Sequence, residues 1–464
     1  MMKTTLIRNA RAIVTCDAQD RVYQNADLLI QGPKITKIGQ NLTDPCDEVI
    51  DASEMFVYPG LINTHHHFFQ TFVRNLKTID YPNMTVPEWL DKIYRIFQLV
   101  DGDVIFYSSL TAMADLLKHG CTCAFDHQYC YTKATGKTPV DRQMEAAKLL
   151  GIRYHAGRGT NTLPREKGST IPENMLETTE EFLLDCERII GLYHDPNPYS
   201  MSQIVMAPCQ PINSYPETFI STVKFAREKG VRMHTHLGEG ENEIMLERFG
   251  KRTLDWCRDI GFIGPDVWYA HGWELTPAEY DVLGQAGSGV SHCPGPAILG
   301  GFPILPMAQM AEAGVCISLG CDGSATNDSS SLLDSMRTAW MMQAWHSKTR
   351  GGCISPYDML KIATVNGAKT LGRNDLGSLE PEKGADLFMI DAGKLELTGT
   401  LHDPRNLLAR TGVTGETALT MVNGRVVFRD GVFPGIDERA LAREGEAVCT
   451  KVLRQPCEAF RNLI

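Results

Sequence analysis

The stretch VYPGLINTHHHFFQTF, residues 57–72, sets three consecutive histidines after a short apolar run. On an extended strand side chains alternate, so His65 and His67 project to one side and His66 to the other. Two imidazoles converging in this way form one edge of a metal clamp, although such pairs also occur as hydrogen-bonded polar groups beside a core. The other donors of a clamp must come from elsewhere in the chain. Four later β-rich runs end in groups of the same kind: His236 after VRMHT, His271 after VWYA, His292 after GVS and Asp322 after CISLGC. Several imidazoles and one carboxylate suit a borderline divalent ion such as Zn²⁺, with Fe²⁺ as the alternative, and leave a coordination position for water. Such an ion brings the pKa of water down to roughly 7 and supplies hydroxide at neutral pH.

The elements that would carry these groups recur along the chain. Helix-like segments repeatedly end in glycine and run straight into a β-rich stretch, as in LLKHG-CTCAFDH, AAKLLG-IRYHAGRG, AREKG-VRMHTHLGE, GQAGSG-VSHCP and MAEAG-VCISLGCDG. Glycine accepts the left-handed conformation that terminates a helix. Phe219, Val223 and Ala226 follow helical spacing, and Ser214 with Glu217 reads as a capping box ahead of them. Adding the runs at 57–67, 202–209 and 267–272 gives eight strands separated by helix-length segments, the pattern of a parallel (β/α)8 barrel. The histidines and Asp322 then fall at the strand C-termini, the face on which barrel enzymes do their chemistry. Residues 4–58 and 376–434 alternate short β-like runs with turns, and neither half can bury a sheet alone. The expected architecture is therefore an α/β chain in which a barrel (59–372) is inserted into a small β-sandwich made by both ends (1–58 and 373–464), with a final amphipathic helix from about Asp437 to Phe460 on the outside.

Composition limits the partners. The chain has 464 residues, 43% hydrophobic and 22% charged, and a net charge of −11 with no run of basic residues, which argues against a phosphate-backbone partner. Its 14 cysteines are scattered without a CxxC pair, so they read as thiols of a reducing compartment rather than a disulfide framework. No leader-like N-terminus and no membrane-spanning run is present, and a cytoplasmic homo-oligomer is the expectation.

Together PGLINTHHH (59–67), HTHLGE (234–239), YAHG (269–272), SHCP (291–294) and GCDGSATND (320–328) resemble the mononuclear aminohydrolase branch of the amidohydrolase superfamily, over nearly the whole chain. The resemblance implies one metal ion per chain held by His65, His67, His236 and Asp322, a proton shuttle at Glu239 and a water-orienting His271, with His66 and His234 left structural. Binuclear relatives carry a lysine on the fourth strand, but SQIVMAPCQPINS has none, which favours one metal and deamination. Within the branch, DHQYCY (126–131), RYHAGRG (153–159) and MAPCQP (206–211) resemble the 8-oxoguanine deaminase group, whose neighbours act on guanine, cytosine, isoxanthopterin and triazines.

By that likeness Gln70 reaches the substrate ring, and Cys209 and Gln210 stand where guanine deaminases place an arginine. The implied substrate is a small heterocyclic base with an oxo group, such as the purine 8-oxoguanine. The stretch SHCPGPAILGGFPI replaces an expected polar Ser-Ser-Asn segment, so an apolar wall is expected beside the pocket. Arg158 and Trp273 fall near strand ends, where substrate contact and a packing or ion-pair role are both open. The long segment 158–175 is equally open as a lid or a passive loop.

Overall fold

The computed structural model describes residues 2–350 and 353–454. Five strands lead the chain: β1 (Thr4–Val14), β2 (Val22–Gln31), β3 (Lys34–Gly39), β4 (Glu48–Asp51) and β5 (Met55–Pro59). After the barrel come β14 (Leu387–Asp391), β15 (Leu419–Val422) and β16 (Arg425–Arg429). These eight make one sheet in the order β16-β15-β14-β5-β1-β2-β3, with β4 on β1. Most neighbours are antiparallel, and the two chain ends meet where β5 pairs with β14. Ile7, Leu28, Ile35, Val57, Leu387 and Met421 share one buried core, so the sheet curls round apolar side chains drawn from both ends.

The barrel strands are β6 (Leu61–Asn63), β7 (Cys121–Gln128), β8 (Arg153–Arg158), β9 (Ser202–Met206), β10 (Arg232–Leu237), β11 (Val267–His271), β12 (Gly289–His292) and β13 (Cys316–Leu319). Neighbours pair in parallel and in sequence order. The ring closes between last and first strand, where Thr64 N–H donates to Leu319 O at 3.0 Å and Asp322 N–H to His65 O at 3.1 Å. All eight strands expected from sequence are present. Of the glycines read as helix stops, Gly120, Gly151, Gly230 and Gly314 have positive φ, whereas Gly289 opens β12 and the helix before it is capped two residues earlier by Gly287.

Two expectations need correction. Ser214 does not cap a helix: the helix runs Pro216–Lys229 with Tyr215 at the cap position and no side-chain cap bond. Proline at the first helical position fixes the start one residue later than the Ser-x-x-Glu spacing implied. The last helix spans Glu438–Leu453, and the remainder of the expected helix, to Phe460, lies outside the described residues. Among the described residues the cysteines are free and most are buried. No described helix is long and apolar enough to cross a membrane.

Candidate metal centre and active site

His65 and His67 follow β6 directly, and their rings lie 4.7 Å apart, while His66 turns away to Ser330 Oγ at 3.0 Å. His236 stands on β10 and His271 ends β11. Asp322 lies three residues past β13. Gly320 allows this approach, because a Cβ there would meet His65 Cβ and O at 2.8 Å. His271 and Asp322 both have left-handed backbones, at φ 75° and 64°. That conformation costs a β-carbon-bearing residue on the order of 1 kcal/mol and is characteristic of functional positions.

The hydrogen bonds fix the tautomers. His67 Nδ1–H donates to His127 O at 2.8 Å and His236 Nδ1–H to Cys209 O at 2.7 Å, so both Nε2 atoms carry bare lone pairs. His234 Nδ1–H donates to Trp268 O at 2.9 Å, leaving its Nε2 to accept from His65 Nδ1–H, also at 2.9 Å. His65 Nε2 is thereby a lone pair as well. These three nitrogens converge: His67 and His236 Nε2 lie 3.2 Å apart, and His65 and His67 Nε2 each lie 3.4 Å from Asp322 Oδ1. Burial, reinforced at His65 by its neighbouring imidazoles, pushes all three histidines below the usual range. Burial alone would raise Asp322, but His271, His67 and the Gly323 amide hold it below the usual carboxylate range. Three lone pairs and a carboxylate facing one another fit a divalent cation, which removes their mutual repulsion. His65, His127 and His234 also lie together, but His234 Nε2 is already bonded to His65, so that trio is no second cradle.

Glu239 sits beside the cradle, between Gly238 and Gly240, both at positive φ. The Glu241 carboxylate pins this turn by accepting the Gly238 and Glu239 amides, each at 2.7 Å. Glu239 Oε1 lies 3.5 Å from His271 Nε2, and Gln210 Nε2 donates to its Oε2 at 3.1 Å. Burial, then the charges of Asp322, Glu241 and Glu274, push its carboxyl well above the usual range. With 23% of the side chain exposed at the mouth, water moderates that rise without reversing it. Neither ring nitrogen of His271 has a hydrogen-bond partner, and the ring stacks on His236 at 5.3 Å and Trp273 at 4.3 Å.

A small cavity of about 40 Å³ opens over these groups. His67, His236, Asp322 and Glu239 form its floor, Gln70, Gln210 and Thr326 its polar sides, and Trp89, Leu90, Tyr94, Tyr129 and Cys209 its apolar wall. Three of that wall's residues come from the helix Val86–Phe97. Sequence reasoning passed over this helix, and also over Tyr129 and His127, which lie just past or at the end of β7 within DHQYCY.

Other expected positions fall elsewhere. Arg158 does not line the cavity: it is fully buried, bonded to Glu177 at 2.7 Å and Asp185 at 2.8 Å, and stacked on Tyr131. A guanidinium at that depth is stable only when paired, and its partners lie in the following loop and helix. Trp273 packs between His271 and Phe302 and does not face the cavity. The apolar segment after β12 reaches the site through that stack rather than as a wall. Its neighbour His292 is buried away from the cradle with both ring nitrogens unbonded. Segment 158–175 packs inward through buried Ile171 and Met175.

A parallel barrel whose mouth holds a three-histidine, one-carboxylate cradle beside a carboxyl that burial raises above its usual range is an arrangement suited to a hydrolase. The chain belongs to the amidohydrolase family, whose model matches residues 56–427. It is 47% identical over 463 residues to hydroxydechloroatrazine ethylaminohydrolase of Pseudomonas sp. (strain ADP), covering 97% of this chain and 96% of that protein. It is 34% identical over 459 residues to 8-oxoguanine deaminase of Pseudomonas aeruginosa, covering 97% and 100%. The crystal structure of atrazine chlorohydrolase from Arthrobacter aurescens, complexed with zinc, matches with a TM-score of 0.92 at 28% identity, covering 96% and 100%. The chain is an enzyme, a hydrolase acting on carbon–nitrogen bonds other than peptide bonds.

Proposed function

We propose that the enzyme removes an amino or alkylamino substituent from an oxo-substituted nitrogen heterocycle, with one divalent ion, Zn²⁺ by preference, held by His65, His67, His236 and Asp322. The observation that carries this reading is the placement of a raised-pKa acid, Glu239, on the same cavity as three lone pairs and a carboxylate. When bound, the ion lowers the pKa of water to roughly 7. Asp322 takes a proton from the attacking water. Glu239 gives its proton to the ring nitrogen next to the attacked carbon, takes up the proton that Asp322 removed from water and passes it to the departing amine, and recovers the proton of the added hydroxyl as the carbonyl forms, while His271 hydrogen-bonds that oxygen. Gln210 holds Glu239 in position.

The substrate class favoured is a hydroxylated alkylamino-s-triazine. The 47% identical relative is named for such a reaction, and Trp89, Leu90 and Tyr94 offer an apolar wall for an N-alkyl group. A second reading, an 8-oxoguanine-like free base, is supported by the two neutral amides, Gln70 and Gln210, which suit ring N–H and C=O edges. No lysine or arginine lines the cavity, so both readings take a free ring rather than a nucleotide. Amine release from a hydroxylated ethylamino-triazine, 8-oxoguanine, isoxanthopterin, isocytosine, guanine and cytosine tests the proposal. Turnover of the triazine above all others supports the first reading and preference for 8-oxoguanine the second. Cytosine as the best substrate, or no amine from any member, overturns both.

A further inference from the structure

Gln70 lies against the backbone that follows Asp322, so close to Gly323 that a Cβ there would meet Gln70 Oε1 at 2.0 Å. Its Oε1 accepts the Ala325 N–H at 3.1 Å. A backbone amide can only donate, so this contact settles which end of the side chain is oxygen and which is nitrogen. The NH2 end therefore faces Tyr129, and Nε2 donates to Tyr129 Oη at 3.1 Å. Tyr129 Oη is then an acceptor in its only hydrogen bond among the described residues, and its own proton is unspent. The second Nε2 proton of Gln70 likewise has no acceptor among them. Both side chains line the cavity, and the Tyr129 ring stands edge-on to His67 with centroids 4.9 Å apart. Burial pushes the phenol well above its usual range, so the proton stays in place.

We propose that Tyr129 determines specificity, its Oη–H and the free Nε2–H of Gln70 forming a donor pair that selects the exocyclic oxo oxygen of the ring. The inference deepens the function proposed above and rests on it. Both donors line the cavity beside the metal cradle and have no protein acceptor among the described residues, so a ring that displaces water from them must supply one, and a ring with hydrogen in place of the oxo group leaves them unpaired on burial. Amino substituents meet donor against donor.

Tyr129→Phe keeps the ring that packs on His67 and removes only the phenol. The expected result is unchanged metal content by elemental analysis, with kcat/KM for the oxo substrate down about ten- to a hundredfold. For the matching ring with hydrogen in place of the oxo group, kcat/KM changes less than about threefold. Equal losses on both rings, or no loss on either, overturns the assignment. Amine release by the unsubstituted enzyme separately tests the function itself. If that fails, calorimetric titration with cyanuric acid, an oxo-azine with no leaving amine, still decides: binding at least about tenfold weaker in Tyr129→Phe supports the donor pair. Equal binding by the two proteins, or none by the unsubstituted enzyme, overturns it.

Discussion

His236 and Glu239 are three residues apart at the exit of one strand, yet their surroundings differ, and the proposed function gives them different roles. His236 Nε2 is a lone pair fixed by the Cys209 carbonyl behind it, whereas the Glu239 carboxyl, beside His271, is pushed well above its usual range by burial. His236→Ala should therefore lose the metal, and Glu239→Gln should keep one ion per chain and the fold while losing at least about a hundredfold in kcat. Elemental analysis beside steady-state kinetics checks this. Equal metal content in the two variants would mean that ligand and acid had been exchanged, and two ions per chain would displace the mononuclear reading. The cradle was legible in the sequence because His and Asp at the ends of β-rich runs are chemically conspicuous. Tyr129 was not, since a tyrosine beside an apolar strand end reads as core. Arg158 stayed open between substrate contact and an ion pair because Glu177 and Asp185, which pair with its charge, come from the loop and helix that follow, and strand alternation says nothing of them.

At the level of elements, the barrel rhythm was readable because several of the helices before barrel strands stop at a glycine with positive φ, as at Gly151, Gly230 and Gly287. The helix Val86–Phe97 broke that rhythm and was missed, although it carries a cap signature: Thr85 and Glu88 make a full capping box, as Thr178 and Glu181 do elsewhere. The same spacing misled at Ser214, where Pro216 sets the helix start. Only the apolar face of Val86–Phe97 meets the site, with Trp89 Nε1–H donating to Ala325 O at 3.2 Å across the mouth. Loss of an N-cap side chain costs about 1 kcal/mol, worth roughly a fivefold change in an equilibrium. Because this helix walls the cavity and holds none of the reacting groups, Thr85→Ala should raise KM about fivefold while changing kcat less than about twofold. A drop in kcat with KM unchanged would place the helix in the chemistry instead.

For the whole molecule, the concentration of buried histidine at one barrel mouth ties stability to pH. Burial drives His66 and His292 down to about 3 and His236 to about 4. The folded chain thus keeps these rings neutral at pH values where the unfolded chain, near 6.5, protonates them. Their folded values lie below the unfolded one, so the stability they contribute is complete above about pH 6.5 and is lost as pH falls toward 4. Each such group is worth about 1.4 kcal/mol per pH unit, so three give about 4 kcal/mol per unit, against a total of roughly 5–15 kcal/mol for a typical domain. Asp126 opposes this, since burial raises it to about 7 and its protonation favours the fold as pH drops, but it is one group against several. The metal-free protein should therefore unfold within about two to three units below pH 6.5, followed by denaturant midpoints at stepped pH in the presence of a chelator. His292 isolates the cause, because it is buried, bonds to nothing through its ring and stands outside the cradle. His292→Leu should leave metal content unchanged and flatten the slope between pH 6 and 4 by about 1.4 kcal/mol per unit, one proton's worth. An unaltered slope in that variant would trace the acid sensitivity to other groups.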